Sequence, residues 1–149
     1  MEPVQGQKEI LLAEDNQVDV QIVRRCLRNV TFPYHLSMVG DGEAALAFLQ
    51  RQEPYTAAPR PSLILLDIYL LKKTGWEVLA WVRATPALAN IPVVMLTGLL
   101  APFDEQERDR LHPTRCLEKP TTVEEFRALT EIIEEVISRN NPAARLQAS

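Results

Sequence analysis

Cysteine is nearly absent. Cys26 and Cys116 are the two in 149 residues, too few for a disulfide framework and suited to a reducing compartment. No apolar run approaches the ~18 residues that span a membrane. The first residues, Met1 to Lys8, lack the apolar core of a secretory signal, so a soluble, cytoplasmic protein is expected. Positive charge is in deficit: 16 Lys and Arg face 20 Asp and Glu, for a net charge of −4. That balance argues against nucleic acid as a partner, which would need clustered basic residues. The pairs Arg24-Arg25 and Lys72-Lys73 are too small for such a patch and read as solvated faces. His35 and His112 share no spacing with each other or with the cysteines that would suit a metal such as zinc. Repeats and low-complexity tracts are also missing. What remains is 46% hydrophobic and 24% charged, too apolar for disorder, at a length that suits one domain of ~150 residues.

Three short apolar runs, Ile10–Ala13, Leu63–Leu66 and Val93–Leu96, each end at a polar residue. Continuous apolarity over so few residues predicts strands covered on both faces, as in a parallel sheet. Tyr34–Val39 and Arg115–Glu118 are weaker strand candidates. Between them lie helical patterns: Gln17–Asn29 with Asn16 as N-cap, Glu43–Gln52 after an Asp41-Gly42 turn, and Gly75–Ala84 before Pro86. The alternation predicts βαβ units, a parallel five-stranded sheet and a three-layer α/β domain. Glu53–Pro61, with three prolines, reads as an extended loop. Asp104–Arg110 could form a fifth helix but offers no apolar face; only Phe103 and Leu111 flank it, so a mobile or partner-covered segment is expected. Thr122–Arg139 is the opposite case. Its apolar residues Val123, Phe126, Leu129, Ile132, Ile133, Val136 and Ile137 sweep about 180° of a helix, wider than the roughly 100° that packing on one sheet requires. Trp76 and Trp81, five apart, point to different faces, with one expected to be free for a partner. Asn140–Ser149 is expected to be a frayed tail.

The acids fall at strand ends. Glu14 and Asp15 follow the first strand, Asp67 ends the third, Thr97 ends the fourth and Lys119 follows the fifth. In an open parallel sheet, ligand sites form beyond the carboxyl ends of the strands, so these residues should converge at one edge. Two or three carboxylates with water and a carbonyl suit Mg²⁺. An Asp can attack phosphorus to give an aspartyl phosphate, with a cation, a Lys and a hydroxyl holding the phosphoryl oxygens. Solvated loop acids and strand-end caps are the plainer reading of any one of these residues alone.

The segments Leu-Leu-Ala-Glu14-Asp15-Asn, Leu-Ile-Leu-Leu-Asp67 with Gly75 eight residues on, Val-Val-Met-Leu-Thr97-Gly98 and Lys119-Pro120 together resemble the receiver domain of two-component response regulators. The resemblance implies a (βα)5 flavodoxin-like fold of strand order 2-1-3-4-5, with residues 8–140 as the receiver and 141–149 as a flexible tail. It implies that Asp67 accepts a phosphoryl group from a sensor histidine kinase. Asp15, Asp67 and the Tyr69 carbonyl would ligate Mg²⁺, Glu14 would help through water, and Thr97 and Lys119 would contact the phosphoryl group. The stretch from Arg60 to Leu79, the proline-rich loop before it and the long last helix look like stand-alone regulators associated with bacterial phytochromes, notably cyanobacterial ones.

Three residues depart from that pattern. Tyr69 is large where a small polar residue is usual, and its ring should screen the acyl phosphate from water. Leu71 replaces a proline and should loosen its loop. Cys116 stands three before Lys119, where many receivers carry a switching Tyr or Phe. The expected function is a single-domain phosphoacceptor signalling protein, not an enzyme beyond its own phosphotransfer and slow autodephosphorylation. With no room for an effector after Arg139, it would signal through a partner or as a homodimer through residues 104–139. A degenerate receiver acting as a phosphorylation-independent scaffold is the alternative. A haloacid-dehalogenase-like phosphohydrolase would want a second Asp where Tyr69 stands.

Overall fold

The computed structural model describes residues 6–99, 101, 102 and 104–139. Phe103 and the tail 141–149 lie outside the described residues. Five parallel strands, β1 (Lys8–Ala13), β2 (Tyr34–Val39), β3 (Leu63–Asp67), β4 (Val93–Thr97) and β5 (Arg115–Glu118), form one sheet in the order β2-β1-β3-β4-β5. The helices are α1 (Gln17–Leu27), α2 (Gly42–Leu49), α3 (Gly75–Ala84), α4 (Asp104–Leu111) and α5 (Val123–Arg139). This is the flavodoxin-like strand order that the resemblance implies. Among the described residues no helix is long and apolar enough to cross a membrane.

The central strands are apolar on both faces because both faces are covered. Leu11, Ala13, Ile64, Leu66, Val93 and Met95 pack with α2 and α3. Their neighbours Ile10, Leu12, Leu63, Leu65, Val94 and Leu96 pack with α1 and α5 on the other side. Each fully buried Leu, Ile, Val or Met among them contributes ~1.5–3 kcal/mol, so this double layer dominates stability. Caps set the helix starts. Asn16 Oδ1 accepts from the N–H groups of Val18 (2.8 Å) and Asp19 (3.2 Å). Asp41, expected only as a turn residue, caps α2 by accepting from Ala44 N–H at 2.7 Å. Thr74 caps α3 through the Glu77 N–H at 3.2 Å. Gly75 is required by close approach: a Cβ there would lie 2.3 Å from the Asp67 carbonyl oxygen.

Several expectations are corrected. α1 ends at Leu27, two residues early, and α2 at Leu49. The proline-rich segment is not extended. Its backbone turns back twice, Tyr55 N–H to Gln52 and Ala58 N–H to Tyr55, and the Tyr55 ring lies 5.5 Å from that of Phe48. The Leu71 carbonyl accepts from the N–H groups of Gly42 and Lys73, so its loop is pinned without the proline. Neither tryptophan is exposed: Trp76 is buried, and Trp81 is half-buried against the core. The fifth helix, α4, does form where the sequence allows it, although it lacks an apolar face, because its ends are anchored. Leu111 is buried at one end and the Asp104 carboxylate at the other. Much of the wide arc of α5 is used within the chain. Leu129, Ile133, Val136 and Ile137 are buried, and the Thr130 hydroxyl donates to the Cys26 carbonyl of α1 at 3.0 Å.

Candidate functional site

Because all five strands run parallel, their carboxyl ends open onto one edge, and three of the sequence-predicted acids meet there. Carboxylate oxygens of Glu14, Asp15 and Asp67 lie within 4.8 Å of one another. Asp15 is exposed, whereas Glu14 and Asp67 are 5% and 7% exposed. Lys119 reaches into the group from the end of β5. Its Nζ donates to Glu14 Oε1 and Oε2 (3.0 and 3.2 Å) and to Asp67 Oδ2 (3.2 Å). The Lys119 backbone N–H donates to the Thr97 carbonyl at 2.6 Å, so β4 fixes the base of the lysine. Thr97 itself is fully buried, and its hydroxyl engages Leu99, donating to the carbonyl at 3.3 Å, rather than a carboxylate. Gly98 leaves open space beside it.

The electrostatics follow from packing acids where water is scarce. Burial, reinforced by the neighbouring Asp67, pushes the Glu14 carboxyl up to about 8 despite the Lys119 bond. Burial works against the Lys119 charge, but hydrogen bonds to Asp19 and Glu14 and the field of Asp67 hold the ammonium above its usual range. Carboxylates this close together are suited to a divalent cation, whose charge would hold them ionised. Hard oxygen donors at this spacing fit Mg²⁺ or Mn²⁺; no sulfur or imidazole ligand takes part.

Two acids that sequence reasoning missed complete the picture. Asp19, in the first turn of α1, has Oδ2 2.6 Å from Lys119 Nζ. Its only local signal was a place in the helix that begins directly after Asp15 and Asn16. Asp104, at the start of α4, is 3% exposed. Its Oδ2 accepts from the Tyr69 hydroxyl (2.8 Å) and the Ala101 N–H (3.0 Å), and its Oδ1 from Trp76 Nε1 (3.2 Å). Tyr69 therefore connects the two features. Its backbone N–H donates to Asp67 Oδ1 at 3.2 Å while its phenol is tied to α4. Burial and the hydrogen bond to Asp104 raise the pKa of that phenol.

Cys116, half-buried on β5, lines a cleft of about 250 Å³ with Ala101, Pro102, Asp104, Glu105 and Arg108. Burial pushes its thiol up, so it is a packing residue rather than a reactive one. A cleft of about 410 Å³, lined by Phe48, Pro59, Trp81 and Leu88 among others, lies between the C-terminal ends of α2 and α3 and contains none of the clustered acids.

The model of the response regulator receiver domain matches residues 10–131. Response regulator Rcp1 of Synechocystis sp. is 41% identical over 127 residues, covering 85% of this chain and 86% of Rcp1. The crystal structure of Mn²⁺-bound Rcp1 superposes with a TM-score of 0.77 over 86% of this chain and 92% of that one. The phosphorylated cyanobacterial phytochrome response regulator RcpA, 37% identical, gives 0.78 over 87% and 92%. An extended match over almost the whole fold, joined to acids at the strand ends, leaves one conclusion: the chain belongs to the response regulator receiver domain family and is related to phytochrome response regulators.

Proposed function

We propose that this protein is a phosphoacceptor signalling module in which residues 8–140 act as one receiver and Asp67 takes a phosphoryl group from a histidine kinase, of phytochrome type. The observation that carries the reading is Lys119 Nζ at 3.2 Å from Asp67 Oδ2, with the carboxylates of Glu14 and Asp15 alongside. In this reading Asp67 Oδ attacks the phosphorus of the phosphohistidine, forming a P–O bond as the P–N bond breaks, and the released imidazole takes up a proton. Asp15 and Asp67, with the Tyr69 carbonyl and Glu14 through water, would hold Mg²⁺. When bound, the cation offsets negative charge gathering on the phosphoryl oxygens. Lys119 transfers its hydrogen bond from the Asp67 carboxylate to a phosphoryl oxygen, and the Thr97 hydroxyl turns from Leu99 to another.

The Mn²⁺-bound Rcp1 and the phosphorylated RcpA support both halves of this reading, the cation and the phosphoryl group. Intact mass after incubation with Mg²⁺ and a small-molecule phosphodonor tests it. A stable phosphoryl adduct, lost in Asp67→Asn, is the expected result. No adduct on the wild type would favour the phosphorylation-independent scaffold, and rapid turnover of donor a hydrolase. The signal then leaves by altered protein contacts in the cytoplasm. A homodimer through residues 104–139 is supported by apolar surface that the chain does not itself cover. Val123 is 58% exposed, and half-buried Leu117 and Ile132 line a shallow groove of about 170 Å³. A monomer in sedimentation at ~50 µM, with and without a phosphoryl mimic, would overturn the dimer.

A further inference from the structure

The Lys119 ammonium has three hydrogens to donate, and three carboxylates receive them. Asp19 is the nearest at 2.6 Å, against 3.0 and 3.2 Å for Glu14 and 3.2 Å for Asp67. The three partners are not equivalent. Glu14 and Asp67 belong with Asp15 to the group whose oxygens lie within 4.8 Å of one another; Asp19 does not. A divalent cation in that group draws on the same two carboxylates that hold Lys119, so the two cations compete for them. Asp19 is the partner that the cation leaves untouched. It is also well placed to act, since α1 begins immediately beyond β1 and Asn16 caps it through the Asp19 N–H at 3.2 Å.

On the reading of Glu14, Asp15 and Asp67 as the cation site, we propose that Asp19 is a positioning residue: it is the counter-ion reserved for Lys119, holding the ammonium beside Asp67 while Glu14 and Asp67 serve the divalent cation. Without it the ammonium leans wholly on Glu14 and Asp67, and the cation must displace it. Asp19 thus acts on metal binding through Lys119 rather than by touching the metal.

Binding of Mn²⁺, followed by the electron paramagnetic resonance of the free aquo ion, tests this in the wild type, Asp19→Asn, Asp19→Glu, Lys119→Met and the Asp19→Asn/Lys119→Met double variant. Circular dichroism verifies the fold of each. Asp19→Asn is expected to weaken Mn²⁺ binding about fivefold, within the coupling range of contacting charged groups. Asp19→Glu is expected to restore it to within about twofold, and Lys119→Met to bind more tightly than the wild type. In the Lys119→Met background the loss from Asp19→Asn should shrink below about twofold, since the residue through which Asp19 acts is gone. An equal loss in both backgrounds overturns the proposal, because Asp19 would then act by its field on the cation alone. No loss in the wild-type background overturns it as well. A wild type that takes up no Mn²⁺ refutes the cation site itself, a different failure that removes the basis of the proposal too.

Discussion

Replacing Asp104 by alanine removes at one stroke the acceptor of three hydrogen bonds at the start of α4. The cost differs among the donors. Trp76 is buried, so its indole N–H is stranded away from water, at ~1–3 kcal/mol. The Ala101 N–H, in the loop before α4, loses a part-buried hydrogen bond, worth ~1 kcal/mol. Tyr69 is 46% exposed, so its hydroxyl turns to solvent and the loss is only ~0.5 kcal/mol. Asp104→Ala should therefore destabilise the domain by ~3 kcal/mol, a large part of an ordinary stability of 5–15 kcal/mol but not enough to unfold it. Asp104→Asn, which keeps one acceptor oxygen, should cost roughly half as much, ~1.5 kcal/mol. Urea unfolding followed by far-ultraviolet circular dichroism gives both values. Because α4 has no apolar face, hydrogen exchange in the alanine variant should show its amides opening before the rest of the domain. A cost below ~0.5 kcal/mol for alanine, or equal costs for the two variants, would falsify the view that this buried carboxylate holds α4 in place.

Three further outcomes follow from the same structure. Tyr69 is tied to Asp104 beside Asp67, so the phosphorylated wild type should outlive Tyr69→Asn severalfold; equal lifetimes by intact mass would remove the screening role. The Glu14 carboxyl, raised from 4.5 to about 8, keeps a proton in the folded state that the unfolded chain has already lost. Metal-free stability should therefore fall as pH rises through that window and level off above it, and Glu14→Gln should flatten the fall; an unchanged slope in that variant counts against the assignment. Burial pushes the Cys26 thiol up to about 11, leaving about one thiolate in a thousand at pH 8, so Ellman's reagent should label no more than Cys116 in the native protein. Labelling of both cysteines before unfolding would contradict it.

The class of fold and the edge where the chemistry gathers can both be read along the chain. Both rest on local rules: apolar runs of four or five residues make strands covered on both faces, and polar residues directly after such strands lie at their carboxyl ends. Glu14, Asp15, Asp67, Thr97 and Lys119 were legible because each is defined by its distance from a strand, which is counted along the chain. Asp19 and Asp104 were not legible. They are two of 20 acidic residues, and neither directly follows a strand. Asp19 gains its meaning from Lys119, 100 residues away, and Asp104 from Tyr69 and Trp76, 35 and 28 residues away. What holds α4 was hidden for the same reason. Periodicity detects helices held by an apolar stripe, whereas this one is held by a buried carboxylate at one end and a single leucine at the other. Those anchors exist only once the chain has folded, because a hydrogen bond across the fold depends on how helices sit against the sheet and leaves no repeat in the sequence to be read.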